Sequence, residues 1–462
     1  MIRVEWVGID KYLRLSKAFR LQLLLKLIIL TVLIVCFILY TTNRTVMVYA
    51  QYPQYEMPTV IETLPYVNDS RLSVELVYTG LNESTNMAFL ASDDILILEG
   101  LSGKVKRIVN DQMLEEPLID LNSYFQDGLL GIATSKVQNG STYVFLYFNE
   151  APIKYGDDVD NIAEANEVNQ SLGYNREGDR LYRFELVGNK LVNPKLLVDL
   201  KDTNQRSLIG DMHHGGEVII GPDNAVYVVI GDLDGWKYDD GKTKAQNYIG
   251  GKDPDGRAGI LRVTQDGKPV GEGVLGNTYP LNLYFAYGIR NGFGMDFDPV
   301  TGNLWDTENG PDYGDEINLV QAGFNSGADV VLGGMSTEYD RLDNLVEFNG
   351  KGKYREPEFA WTVPVAPTAI KFFNSDKFGE EYENDLFVAD NNYGFIYHFD
   401  LTENRTALSL DGRLKDKVAN IPPESEDIIF GRDFPGITDL QVSPDGYLYV
   451  LATGNLFRII PK

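Results

Sequence analysis

Thiols are almost missing from this chain: among 462 residues the single cysteine is Cys36, and it lies in the most hydrophobic segment. Outside that segment there is no disulfide, no thiolate for zinc and no sulfur nucleophile. Histidine is nearly as scarce, at three residues. Positive charge is short as well, with 41 Lys and Arg against 67 Asp and Glu and a formal net charge of −26. A surface of that sign repels phosphate backbones, which excludes nucleic acid as a partner. Its ordinary consequence is solubility, and attraction of cations is the secondary one. Apolar runs are mostly four to eight residues long, too short for a helical core and suited to buried strands.

One run is the exception. LQLLLKLIILTVLIVCFILY, residues 21 to 40, is broken by Gln22 and Lys26 alone and is near the length a bilayer core requires. Arg3, Lys11, Arg14, Lys17, Arg20 and Lys26 precede or enter it, whereas Arg44 alone follows closely. That bias predicts a cytoplasmic N terminus, a single-pass cell-membrane anchor and an extracytoplasmic remainder. A cleaved signal peptide ending near Val48-Tyr49-Ala50 is the competing reading. The expected organisation is a basic cytoplasmic segment (1–20), a transmembrane anchor or uncleaved signal (21–42), a linker containing three prolines (43–70) and one folded domain (71–462).

What fills that domain is 45 glycines, 27 tyrosines and 22 phenylalanines, arranged in a recurring unit. An apolar strand, an Asp/Asn/Gly turn and a second apolar strand appear as MAFLASDDILILEG, EVIIGPDNAVYVVIGD, MDFDPVTGNLWDTENG, IKFFNSDKFGEEYENDLFVAD and LQVSPDGYLYVLATG. A looser copy is GLLGIATSKVQNGSTYVFLYFN. Six copies with variable insertions predict an all-β fold, a six-bladed β-propeller, preceded by one N-terminal transmembrane helix. RLSVELVYTG, which has no hairpin partner, is expected to complete the last blade. The acidic insertion from Asp157 reads as an exposed loop.

Three polar stretches interrupt the pattern. GDMHHGGEVIIGPD sets His213 and His214 before two glycines, and histidine is the side chain best suited to act as a base near neutrality. The plainer reading is a loop hydrogen bond for each. YGIRNGFGMDF presents Arg290 and Asn291 among glycines that admit a ligand close to the backbone, and Arg290 can donate paired hydrogen bonds to a carboxylate or quinone. DTENGPDYGDEINLV packs Asp306, Glu308, Asp312, Asp315 and Glu316 around Gly310-Pro311. Oxygen at that density suits calcium, or is ordinary solvated acid.

Taken in order, HxGG before a GPD turn, YGxRNxxG, and a Gly-Pro loop running into DEINL resemble the soluble-type quinoprotein glucose and aldose sugar dehydrogenases, the glucose/sorbosone dehydrogenase family. QDGLLGIA from Gln126, VAPTAIKFF from Val365 and ITDLQVSPDGYLYVL extend the likeness from about Arg71 to the C terminus. The resemblance implies pyrroloquinoline quinone (PQQ) and Ca2+ at one mouth of a propeller channel. It implies that His213 is the catalytic base, that Arg290 and Asn291 contact the quinone with Arg290 stabilising developing charge, and that the carbonyls of Gly310 and Pro311 hold calcium. Gln126 would lie near the sugar. The implied partners are an aldose sugar as substrate and a membrane electron acceptor.

The chain also departs from the family pattern. Met212 precedes the histidine pair where aspartate can stand, Glu217 follows the glycines where arginine is common, and Gly292-Phe293 replaces Pro-Gln. DNNYG, from Asp390, lacks the basic residues often found there, and Lys371 of the same blade is the candidate for that cofactor contact. Oxidation of the sugar's C1 hydroxyl to a lactone is the leading expectation. A surface propeller that binds glycans or a partner protein without catalysis is the alternative.

Overall fold

The computed structural model describes residues 64–121, 125–137, 140–150, 178–201, 213–233, 242–328, 330–333 and 342–462. The apolar run at 21–42, the basic segment before it, Met212 and the acidic insertion from Asp157 lie outside the described residues. Among the described residues no helix is long and apolar enough to cross a membrane.

The fold is an all-β propeller. The described strands assemble into six sheets, each opened by one of the repeated hairpins. The opening strands are Ser84–Ala91, Phe125–Lys136, Val218–Ile220, Gly292–Phe297, Pro367–Phe372 and Ile437–Val442. Each packs against the next, and the last packs against the first, so the ring closes around a channel. Closure comes from the N-terminal side: Leu72–Thr79 pairs antiparallel with the C-terminal strand Asn455–Pro461, with Leu72 opposite Pro461 and Thr79 opposite Asn455. RLSVELVYTG thus completes the sixth sheet as expected. Joining first and last strands in one sheet leaves no gap through which the ring could open.

Folded chain begins earlier than the sequence suggested. Tyr66 and Val67 pair with Arg432 and Gly431 on the edge of the fifth sheet, and the Asn68 side chain donates to the Ile429 carbonyl. The reading of 43–70 as linker therefore extends too far. A two-residue strand has no periodicity to detect, and the prolines beside it mask it.

Six hydrophobic clusters hold the ring, one for each pair of neighbouring sheets. That follows from the hairpins: alternate side chains of each strand point to opposite faces, and both faces of every sheet are covered by a neighbour. Between the fourth and fifth sheets the packing is aromatic. Phe359 meets Trp361 edge to face at 4.8 Å, and Trp361 lies against Tyr397 at 5.2 Å. Fully burying each such ring contributes about 1.5–3 kcal/mol.

The six opening strands run the same way along the channel. Their N-terminal ends, which carry His213, Arg290 and Val365 just ahead of the third, fourth and fifth, gather at one mouth. Their C-terminal ends, with Ile220, Phe297 and Lys371, gather at the other.

Candidate functional site

His213 enters the first mouth from the turn that precedes Val218–Ile220. Its backbone is left-handed, with φ 63°, an uncommon conformation for a residue with a side chain. The turn is held in it by close packing: a Cβ on Gly231 would lie 1.9 Å from the His213 carbonyl oxygen and 2.7 Å from that of Arg290. Only glycine lets these three backbones approach so closely.

The His213 side chain bridges two partners. Nδ1 lies 2.8 Å from Oδ1 of Asp232 and Nε2 lies 3.0 Å from Nη2 of Arg290. A guanidinium can only donate, so Nε2 is the accepting, unprotonated nitrogen and Nδ1 carries the hydrogen given to Asp232. This fixes the tautomer by chemistry. Asp232 is wholly buried, and it sits where the apolar strand Ala225–Ile230 ends in Gly-Asp. Asp232 is not among the sequence-based candidates, although the abrupt change from six apolar residues to Gly-Asp marks it.

The two histidines face different ways. His214 turns toward the second sheet, where Nδ1 lies 3.0 Å from Oδ1 of Asp179, and the Tyr147 hydroxyl donates to the His214 carbonyl at 2.9 Å. It is buried there and anchors the turn that presents its neighbour.

Arg290 ties the turn to the acidic segment. Nη1 donates to the carbonyls of Asn309 at 2.7 Å and Gly310 at 3.0 Å, while its backbone N–H donates to Glu308 Oε1 at 2.9 Å. Two backbone carbonyls converging on one guanidinium make a cation cradle. Asn291 takes a supporting position, its Oδ1 accepting from the Gly215 N–H at 3.3 Å.

Four of the five acids in the acidic stretch form a buried polar seam, whereas Pro311 and Asp312 are exposed in the turn between its two strands. Asp306 and Glu308 lie in Leu304–Glu308, Asp315 and Glu316 in Asp315–Val320, and all four are buried. Asp315 accepts from the N–H groups of Gly310, Val365 and Ala366, at 2.7 to 2.8 Å. It thereby pins the Gly310 turn to the entry of the fifth sheet. A Cβ on Gly310 would meet the Tyr313 carbonyl oxygen at 2.0 Å, so the turn requires glycine. Burial raises the Glu308 carboxyl to about 7 and pushes Asp306 and Glu316 well above the carboxylate range. Carboxyls this costly to ionise are eased by a nearby cation. Among the described residues, Glu308 Oε2 and Asn309 Oδ1 are buried without a hydrogen-bond partner. The Asn309 and Gly310 carbonyls with these two orphaned oxygens are a donor set that fits a hard cation such as calcium.

Lys371 does not belong to this group, which corrects its reading as a cofactor contact. It lies near the C-terminal end of Pro367–Phe372, and its Nζ lies 3.1 Å from Oδ1 of Asp296 at the opposite mouth. Gln126 lies in the strand Phe125–Lys136, near its N-terminal end and so on the His213 side of the ring.

Ring and site together define a propeller with a histidine, a paired arginine and two converging backbone carbonyls at one channel mouth. The family model for glucose/sorbosone dehydrogenase matches residues 81–460, and the chain belongs to that family. It is 26% identical to the aldose sugar dehydrogenase YliI of Escherichia coli over 85% of this chain and 93% of that one. It is also 26% identical to quinoprotein glucose dehydrogenase B of Acinetobacter calcoaceticus over 56% of this chain and 52% of that one. Among solved structures, the apo-form of the soluble aldose sugar dehydrogenase from Escherichia coli superposes with a TM-score of 0.61 at 22% identity, over 85% of this chain and all of that one. The PQQ-bound aldose sugar dehydrogenase from Streptomyces coelicolor superposes with a TM-score of 0.57 at 19% identity, over 85% and 99%.

Proposed function

We propose that this protein is a membrane-tethered, extracytoplasmic quinoprotein whose six sheets act as six blades, and that it oxidises the C1 hydroxyl of an aldose to a lactone. The observation that carries this reading is the Asp232, His213, Arg290 chain, which holds an unprotonated Nε2 against the Arg290 guanidinium. Arg290 and the Asn309 and Gly310 carbonyls would hold pyrroloquinoline quinone and calcium, with Pro311 the further carbonyl the family resemblance implies. When bound, the quinone supplies a two-electron acceptor and the calcium a Lewis acid beside it.

The residues of this chain handle the proton. The sugar's C1–H bond breaks with its electron pair leaving as hydride, while the C1 hydroxyl proton passes to His213 Nε2. Asp232, hydrogen-bonded to Nδ1, holds the ring and stabilises the imidazolium that forms. For Nε2 to accept that proton, Arg290 Nη2 must give up its present contact with it. The guanidinium is then available to negative charge on an oxygen nearby. Electrons would leave to a membrane carrier.

Two expected results test this. Titrating the protein with quinone and calcium should give a stoichiometric quinone absorbance that stays with the protein, and should raise its unfolding temperature; quinone alone, with calcium chelated, should give neither. The alternative of a glycan-binding propeller draws support from Lys371, which stands away from the mouth, and would prevail if glycans bound while the quinone did not. For the tether, protein that stays in the membrane pellet after carbonate washing, with the domain open to protease in whole cells, is the expected outcome. A soluble mature chain starting near Gln51 would show cleavage instead.

A further inference from the structure

The mouth opposite His213 holds a cavity of about 440 Å3. Glu217 is among the residues that line it. Glu217 and Asp439 are 5% and 3% exposed. Lys371 and Asp296 form an ion pair at 3.1 Å beside them, and Asp298 is paired with Arg405. One ammonium therefore faces three carboxylates, Glu217, Asp296 and Asp439, brought together from the third, fourth and sixth sheets. Asn86, 3% exposed, donates from Nδ2 to Glu217 at 2.9 Å, and its Oδ1 is buried with no donor among the described residues. The cluster sets three carboxyl groups against one ammonium on the side of an open cavity.

We propose that this second mouth binds a small organic cation, an ammonium on an apolar body, with the charge received by Glu217, which Asn86 holds in place, and the body packed against Phe89, Ile132, Ile220 and Phe297. Those four side chains line the cavity, and an apolar wall ending in a buried carboxylate is complementary to an amphipathic cation. An anion is disfavoured because Lys371 already has Asp296. A bare metal ion is disfavoured because the carboxylates do not converge on one point. Among the described residues the group close enough to chelate an ion is Asp385, His398 and Asp400, elsewhere on the fifth sheet.

Burial holds the Glu217 carboxyl well above the usual range, with the nearby Asp439 adding to it, and burial raises Asp439 to about 7. The charged groups facing Glu217 are Asp439, Lys371 and Asp296. Below about 7 the Asp439 carboxyl carries a proton, and an arriving ammonium favours its loss. Cation affinity should then rise from pH 6 to pH 8, with protons released on binding.

The site does not depend on sugar oxidation, and its test uses neither quinone nor sugar. Phenethylammonium chloride is titrated into the full-length protein by calorimetry, with 2-phenylethanol as the neutral analogue of the same body. Saturable binding of the ammonium is expected, with the alcohol about tenfold weaker or more. Glu217→Gln should weaken the ammonium about tenfold or more, whereas Lys371→Met, which removes the competing internal cation, should strengthen it. Opposite signs in the two variants, in protein whose circular dichroism is native, distinguish charge recognition from general loosening. No saturable binding to the wild-type protein, equal binding of the alcohol, or loss of affinity in Lys371→Met would overturn the proposal.

Discussion

Replacing His213 with Gln should lower the turnover of sugar-dependent dye reduction by about 10²- to 10⁴-fold, the usual contribution of a positioned base. Glutamine can keep a contact to Asp232 or to Arg290, but it cannot take a proton. Quinone loading, read by absorbance, should therefore persist. His214→Gln should do something different. His214 is buried against Asp179 with its carbonyl held by Tyr147, so the loss is one of stability, about 1–3 kcal/mol for disturbing a buried polar pair. Turnover of the folded fraction should change little. The measurements are steady-state dye reduction and thermal unfolding for both variants. Equal and mild losses of turnover in the two would remove His213 from the chemistry and make the pair a structural turn.

The asymmetry of that pair shows where sequence reading succeeds and where it stops. HHGG located the site, but nothing in the spacing tells which ring faces the channel. The left-handed φ of His213 and the depth of Asp179 decide it, and both are tertiary. The six hairpins were legible because each strand is an apolar run closed by an Asp, Asn or Gly turn, a local signal. The two-residue strands Phe324–Asn325, Lys353–Tyr354 and Val418–Ala419, which add to the sheets by parallel pairing, leave no such trace. Parallel pairing joins distant segments. Composition left the acidic stretch open between calcium ligands and solvated acid, and burial was not legible: Asp306 and Glu308 alternate along a buried strand in a seam with Glu316 and Asn318. Lys371 was assigned to the wrong mouth because its blade was identified without its position along the strand. Six residues separate it from Val365, and an extended chain covers about 3.3 Å per residue, enough to carry it from one end of the channel to the other.

Arg290 carries the second large expected effect, because three acceptors depend on one guanidinium. It donates to His213 Nε2 and to the Asn309 and Gly310 carbonyls, so Arg290→Leu releases the base and the cradle together. The backbone bond to Glu308 is untouched by the substitution and should keep the strand in place. Loss of a donor aimed at developing negative charge costs about 10²- to 10³-fold in turnover, and that loss is expected with native circular dichroism. Calcium should respond in the opposite direction. The guanidinium repels a divalent ion and occupies the carbonyls that would ligate it, so calorimetry without quinone should find calcium bound more tightly by Arg290→Leu than by the wild-type protein. Arg290→Lys separates the two effects: a lysine keeps the positive charge but lacks the planar fork, so calcium affinity should stay near that of the wild type while turnover remains depressed. If Arg290→Leu bound calcium more weakly, the cradle would be a structural lock for the Gly310 turn, and the cation would have to be sought among other oxygens of the seam.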